Sequence, residues 1–401
     1  MSIFNKADIL LPECIDMEKW STVACDQYTA QPEYWERVKN FVGDCPSTLN
    51  IVYPEAFLSE GDARIEAINN SMKEYLEKNI FVALQDSLIY VERTMNSGKI
   101  RRGIVGAIDL EEYDFSKGSK SAIRATEGTI LSRIPPRVKI RENAPLELPH
   151  AILLVDDTAD YIIGGIEKTK PLYEFDLMEG GGHIAGWHIR GDEADAVIGR
   201  INKFAKDAPD NLVFAVGDGN HSLATAKTCW DNLKKTLTEE EQQIHPARFC
   251  LVELENIHDE ALEFEPIHRV VFGKSMDEVK AALSEYYQVA DAMADGAQEI
   301  VLVSGEHTES VYVTNPSSNL TVGTLQNFLD SMGYELDYIH GDDVVRQLSA
   351  GCDAVGFLLP CPQKSELFET VIVDGALPRK TFSMGEANEK RFYLEAKKIV
   401  D

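Results

Sequence analysis

A run of five apolar residues, Leu212-Val-Phe-Ala-Val216, stops abruptly at Gly217-Asp-Gly-Asn-His221. Before it, Ala194, Val197, Ile198, Ile201 and Phe204 make a helical stripe; after it, Leu223, Ala226, Trp230, Leu233 and Leu237 recur at helical spacing. Helix, buried strand, glycine turn and helix in that order are the parts of an α/β unit, and such units take ligands at the carboxyl ends of their strands. Two glycines let the backbone turn tightly and approach a ligand, while the open N–H groups and dipole of the next helix attract an anion. Asp218 or Asn220 is placed to cap that helix, His221 to transfer a proton, and Lys227 to supply a cation if it points back. The bland alternative is a strand-to-helix turn with a capping Asp and a surface His. The phosphate-loop pattern Gly-x-x-x-x-Gly-Lys-Ser/Thr is absent, as is a Gly-x-Gly-x-x-Gly fingerprint after a strand.

The rest of the chain reads as mixed α/β. Residues 62–78 carry Ile65, Ile68, Met72, Tyr75 and Leu76 on one helical face, with Asp62 placed as the cap. Residues 88–91 and 102–108 flank Asn96-Ser-Gly98 as a hairpin. Residues 113–149 are looser and rich in Arg; Pro135-Pro136 forbids a continuous helix there, which makes the stretch a candidate binding loop. Residues 151–155 and 161–165 read as short strands. Ser275-Met-Asp-Glu278 is a capping box, followed by alternating strands and helices up to about residue 372. With 401 residues and roughly 100–200 per domain, a boundary near 270 gives two domains. These are an N-terminal α/β domain, 1–270, with the Asp-Gly-Asn-His turn, and a C-terminal α/β domain, 271–401, whose last segment is free to return to the site.

Charge narrows the partners. Lys and Arg number 39 against 67 Asp and Glu, a net charge of −28 that repels nucleic acid and anionic membrane surfaces. The expected partner is a small anionic ligand or nucleotide, held where local cations and helix termini reverse the field; the oligomeric state is left open. Seven cysteines without a C-x-x-C pair fit free thiols in a reducing compartment, so no disulfide or structural metal is expected. No apolar run approaches the ~18 residues of a membrane span, and the start lacks a signal-peptide pattern, so the expected location is the cytoplasm.

Glu179-Gly-Gly-Gly-His183-Ile-Ala-Gly-Trp187-His188 is a second glycine-rich stretch. Its readings are a metal pair at His183 and His188, against which a spacing of five counts, or a flexible loop over the site with Trp187 packed or stacking.

The motif Phe214-Ala-Val-Gly-Asp-Gly-Asn-His-Ser-Leu-Ala-Thr-Ala226 resembles the hallmark of the family known as domain of unknown function 1015, whose usual form is Asp-Gly-His-His-Arg before a helix. Four further blocks match the family in order: Trp20-Ser-Thr-Val-Ala-Cys-Asp-Gln-Tyr28, Ile123-Arg-Ala-Thr-Glu-Gly-Thr129, Glu265-Pro-Ile-His268-Arg269 and Leu377-Pro-Arg-Lys-Thr-Phe382. The turn is also distantly similar to the nucleotide signature of the ParB and sulfiredoxin superfamily, which includes DNA-segregation CTPases and free serine kinases. That resemblance implies a ParB/sulfiredoxin-like core with a second, smaller α/β layer. It also implies a small-molecule kinase or nucleotide phosphohydrolase using Mg2+ with a nucleotide. Gly217, Asp218, Gly219, Asn220 and His221 would then surround phosphates. The net charge favours the small-molecule branch of that superfamily.

This chain departs from the pattern at two positions. Ser222 stands where Arg is usual and Asn220 where the first His is usual, removing one phosphate-binding cation and one proton-transfer group. His268-Arg269 and Arg379-Lys380 are the candidate replacements. Glu127 and Asp26 are the candidate carboxylates, one to deprotonate a hydroxyl and one to hold Mg2+; Arg124 and His183 are further candidates. Two other readings stand beside the kinase: a non-catalytic, nucleotide- or metabolite-gated binding protein, and a metal-dependent hydrolase built on His183, His188, His221 and Asp218.

Overall fold

The computed structural model describes residues 2–351 and 353–400; Cys352 lies outside them. The chain forms two compact units, one of Met1–Leu262 with Glu386–Asp401 and one of Glu263–Gly385, and the fold is mixed α/β. The division falls before the strand Phe264–Phe272, which belongs wholly to the second unit's sheet, and residues 386–400 rejoin the first unit.

The first unit is built on an eleven-stranded sheet. Its main path runs Tyr173–Asp176, His183–Ile189, Phe81–Thr94, Ile100–Asp109, Phe249–Asn256, Ile152–Val155, Phe214–Asp218, Ile123–Ala125 and Tyr113–Asp114. Strand alternation sends Leu88 and Tyr90 to one face, where they join Ala194, Val197 and Ile201 of helix Gly191–Ala205 and Leu223, Ala226 and Trp230 of helix Asn220–Leu233. Ile89 and Val91 point to the other face and meet Trp35 and Val38 of helix Pro32–Val42. Helices cover both faces, so the strands are buried through their middles, as at Ile104, Val105, Ala107 and Ile108 and at Ile152–Val155.

The second unit holds a seven-stranded sheet along Val289–Ala290, His307–Val313, Gln298–Ser304, Ala354–Leu358, Phe264–Phe272 and Leu336–His340, with Phe382–Met384 paired to Phe264–Phe272. Val270, Val303, Ile339, Val345 and Ala354 form a core cluster there. The capping box at Ser275 is formed, with Ser275 accepting from the Glu278 amide and Glu278 from the Ser275 amide.

Three local expectations are corrected. Helix Gly61–Glu77 follows Glu60 and has no side-chain cap; Asp62 sits in its first turn, where a carboxylate still favours the dipole. Pro135 and Pro136 do not break a helix but open one, Ile134–Arg141, because the first turn needs no N–H donors. Residues 161–165 form turns and not a strand. Asp157 accepts from the Ile162 amide at 2.7 Å, and the Gly164 amide bonds back to the Asp160 carbonyl at 2.9 Å. Among the described residues no helix is long and apolar enough to cross a membrane.

Candidate functional site

Phe214, Ala215 and Val216 are fully buried, which fixes the strand and leaves its last residues to form the turn. Pairing with Ile152–Val155 slips between Val216 and Asp218, placing Gly217 at a bulge. Gly219 has φ of 77°, and a Cβ there would lie 2.8 Å from the Ala151 Cα. Both facts demand glycine. Gly219 caps helix Asn220–Leu233 without any side-chain acceptor, so the amides of the first turn are not capped from within the turn.

Side chains from five segments gather at this point. Asp218 Oδ1 accepts from the Gly219 amide at 2.9 Å, and its Oδ2 faces Lys390 Nζ at 3.5 Å. Thr126 Oγ1 donates to the Val216 carbonyl at 2.6 Å and receives Asn220 Nδ2 at 3.4 Å, while Asn220 Oδ1 is buried without a hydrogen-bond partner. His221 Nε2 accepts from the Ile130 amide at 3.3 Å, which places the ring proton of the neutral form on Nδ1. Burial, then Arg137 and Arg133, lower the His221 pKa, and Asp26 opposes them. The ring is therefore neutral at pH 7 and carries its proton on Nδ1.

Behind the turn, His150 Nδ1 and the Tyr393 hydroxyl lie 2.8 Å apart, and that hydroxyl accepts from the Cys25 amide at 3.3 Å. Arg137 is ion-paired to Glu55, whose amide donates to the Cys25 carbonyl at 2.7 Å, so the 25–26 turn and the 134–141 helix are tied together. Ser222 lines a small cavity with His150, Ala151, Arg141, Glu147 and Cys250. Burial first, then the Asp26 charge, push the Cys25 thiol up to about 12, so it is not a reactive thiolate.

Within the first unit the structure brings Asp26, Asp218, Gly219, Asn220, His221 and Ser222 to one place, with half-buried Glu127 directly after Thr126. It does not bring Arg124, His183 or Lys227 there. Arg124 is buried, with Nη1 on Asp210 Oδ2 at 2.9 Å and Nε on the Ser121 carbonyl at 2.9 Å. Lys227 turns away to Asp231, one helical turn on, at 3.1 Å.

His183 begins the strand His183–Ile189, five positions across the sheet from Phe214–Asp218, which at about 4.8 Å per strand is roughly 24 Å. It pairs with Asp176 at 2.7 Å. His183 and His188 lie an odd number of residues apart on one strand, so they face opposite sides of the sheet, and His188 meets Ser87 Oγ at 2.8 Å. Neither a shared metal nor a hydrolase joining them to His221 and Asp218 is possible. Among the described residues no group of three His, Cys, Asp or Glu side chains is arranged to hold a metal ion.

The glycine triplet is also not a flexible loop. Gly182 has φ of 83° and a Cβ there would meet the Thr94 carbonyl at 2.3 Å, while a Cβ on Gly181 would meet the Phe392 ring at 2.7 Å. The triplet is a close-packed bend. Trp187 packs on Tyr90 at 5.7 Å between ring centroids, with Lys168 over its ring at 5.3 Å.

The four remaining candidates belong to the second unit. His268 is buried, accepting from the Leu359 amide at 3.0 Å and meeting Asp342 at 2.8 Å. Arg269, fully buried, bonds Gln326 Oε1 at 3.2 Å and the Arg379 carbonyl at 3.0 Å and stacks over Tyr338. Arg379 bonds the Tyr338 hydroxyl at 2.6 Å and Asp330 at 2.8 Å, and Lys380 has φ of 55°. Sequence reasoning missed Thr126, His150, Lys390 and Tyr393. The one local signal was His150, a polar residue directly before a wholly apolar strand.

No curated protein matches the sequence. Among solved structures, a free serine kinase mutant in complex with ADP is 14% identical over 77% of this chain and 95% of its own, with a TM-score of 0.37. SbnI with a C-terminal truncation, from Staphylococcus aureus, is 10% identical over 72% and 82%, with a TM-score of 0.37. A conserved hypothetical protein from Pyrococcus furiosus is 14% identical over 71% and 93%, with a TM-score of 0.32. Likenesses this slight carry no argument about chemistry. The family described as "Protein of unknown function (DUF1015)" matches residues 12–332, and the chain belongs to it.

Proposed function

We propose that the Asp218–Ser222 turn binds the phosphates of a nucleotide and that the protein transfers a phosphoryl group to a small hydroxylated metabolite. The observation that carries this reading is the helix Asn220–Leu233, which opens on a glycine with no side-chain cap while the cations Lys390, Arg133 and Arg137 act on the same turn. In a chain of net charge −28, cations gathered at one helix N-terminus make a place where an anion is favoured.

The donor set fits Mg2+ in one mode only. Asp218 offers one carboxylate at the turn, which suits an ion that keeps its waters and arrives on the phosphates. Once bound, such an ion supplies charge neutralisation across the phosphates. The first-turn amides and Lys390 orient and neutralise the anion, His221 Nδ1–H donates to it, and the carboxylate of Glu127 or Asp26 takes the proton of the acceptor hydroxyl. The phosphoryl group passes to that hydroxyl oxygen and the nucleoside diphosphate leaves. The free cysteines among the described residues agree with a cytoplasmic site of action.

The test is thermal unfolding with ATP, ADP, CTP or GTP and Mg2+. A ligand at about 100 times its Kd stabilises by about 2.7 kcal/mol. No shift with any of the four at millimolar concentration overturns the nucleotide reading. Ser222 in place of the usual Arg favours a second reading, binding without turnover. Release of ADP that depends on one metabolite of a panel rejects it.

A further inference from the structure

The segment 388–393 crosses the end of the large sheet and is held at nearly every residue. Arg93 donates to the carbonyls of Asn388, Glu389 and Lys390, the last two at 3.0 and 2.6 Å, and to that of Gly181 at 2.7 Å. Arg101 donates to the Glu389 carbonyl at 3.0 Å. Arg391 reaches Glu253 at 2.6 Å, the Pro149 carbonyl at 2.6 Å and Glu395 at 2.7 Å. Asn388 Nδ2 donates to the Gly180 carbonyl at 3.0 Å, and Phe392 fills the space that Gly181 leaves open.

Arg93, Arg101 and Arg391 are all nearly inaccessible to solvent. Burying three guanidinium groups is costly unless their bonds are made, and here those bonds fix the backbone of one short segment. The side chain standing in the middle of it is Lys390, 17% exposed, with its ammonium 3.5 Å from an Asp218 oxygen. That separation is an ion pair without a good hydrogen bond. The lysine is thus held rigidly by its main chain and loosely by its head group.

We propose that Lys390 is the phosphate-binding cation that takes the place of the arginine missing at Ser222, and that a bound phosphate draws its ammonium away from Asp218. This rests on the nucleotide reading of the turn. The exchange is balanced in charge: the ammonium leaves one anion for another, and the Asp218 carboxylate is released for a cation that would arrive with the phosphate. Cations that lower the proton affinity of His221 already act on this turn, so the phosphate enters a field that Lys390 completes.

The experiment compares wild type, Lys390→Met and Lys390→Arg by calorimetric titration with ADP plus Mg2+ and with adenosine. The expected result is ADP binding weakened about tenfold or more in Lys390→Met, nearly retained in Lys390→Arg, with adenosine affinity equal in all three. Equal ADP affinity in wild type and Lys390→Met overturns the role of Lys390 while leaving the nucleotide reading intact. Wild type that binds neither ligand, nor ATP, CTP or GTP, overturns the nucleotide reading, and this inference with it. A second measurement needs no variant: reductive methylation of the wild-type protein, read by mass spectrometry, is expected to show Lys390 protected by saturating ADP and not by adenosine. Labelling of Lys390 unchanged by bound ADP overturns the proposal even where the Met variant fails to fold.

Discussion

Gly181 and Phe392 occupy one space: a Cβ on the glycine would lie 2.7 Å from Cζ of the ring. Gly181 has φ of −68°, so an alanine there suffers no backbone strain and the obstacles are the ring and the Leu177 Cβ, also 2.7 Å away. Gly181→Ala is expected to lower stability by about 1–3 kcal/mol in urea denaturation. Adding Phe392→Leu to that variant is expected to recover part of the loss. A double variant less stable than both singles would show that the ring is not what the alanine meets.

Gly219 faces two obstacles at once, a left-handed backbone and the Ala151 Cα at 2.8 Å. Gly219→Ala is expected to cost about 1–3 kcal/mol. Gly191 supplies the comparison, since its φ is 55° with nothing within 4 Å. Gly191→Ala is expected to cost only about 1 kcal/mol, the backbone share. Equal losses at the two sites would deny the close approach of Ala151 any part in the turn.

Arg391 neutralises Glu253 and Glu395, both buried. Arg391→Met leaves two buried carboxylates without that partner, and a loss of about 3–5 kcal/mol is expected from chemical denaturation. A loss below about 1 kcal/mol would mean that water reaches the pair.

His221 is held below its ordinary value of 6.5 by burial, then by Arg137 and Arg133. In the unfolded chain the ring binds a proton more readily, so this residue subtracts stability as pH falls through 6.5 and below. Arg137→Gln is expected to raise the His221 pKa and Asp26→Asn to lower it, read from ring proton shifts in NMR titration. Shifts of the opposite sign would place those charges elsewhere.

Glu255 behaves in the other sense. It is fully buried, and burial pushes its carboxyl up to about 8 against the pull of Arg101, 3.1 Å away. Between its unfolded value of 4.5 and about 8 the native state holds more protons, so stability contributed by Glu255 falls as pH rises through that window. Melting temperatures of wild type are expected to fall more steeply from pH 5 to 8 than those of Glu255→Gln. Parallel curves would refute the assignment.

The strand, turn and helix around Asp218 were legible in the sequence because each depends on neighbours: an apolar run, two glycines, a 3.6-residue stripe. The Ser275 capping box and the hairpin at Asn96–Gly98 were legible for the same reason. Pro135 and Pro136 misled because one residue type both ends and begins helices, and only the chain around it decides. His183 looked functional because glycine triplets permit loops; here they permit contact with Thr94 and Phe392 instead. Lys390 left no local mark. Its place at Asp218 follows from two distant arginines, Arg93 and Arg101, and from the reach of its neighbour Arg391 to Glu253, and no window of sequence contains such a relationship.

The return of residues 386–400 to the first unit makes Glu263–Gly385 an insertion within it, and this sets an order of events during synthesis. The large sheet emerges from the ribosome first, yet the 389–391 partners of Arg93, Arg101 and Glu253 arrive only after the whole second unit has been made. Until then Glu253 lacks Arg391, while among the described residues Arg93 and Arg101 have only Gly181 and Glu255 to turn to. The second unit, local in sequence, is free to fold before the first is closed, reversing the usual order in which the earlier domain is finished first.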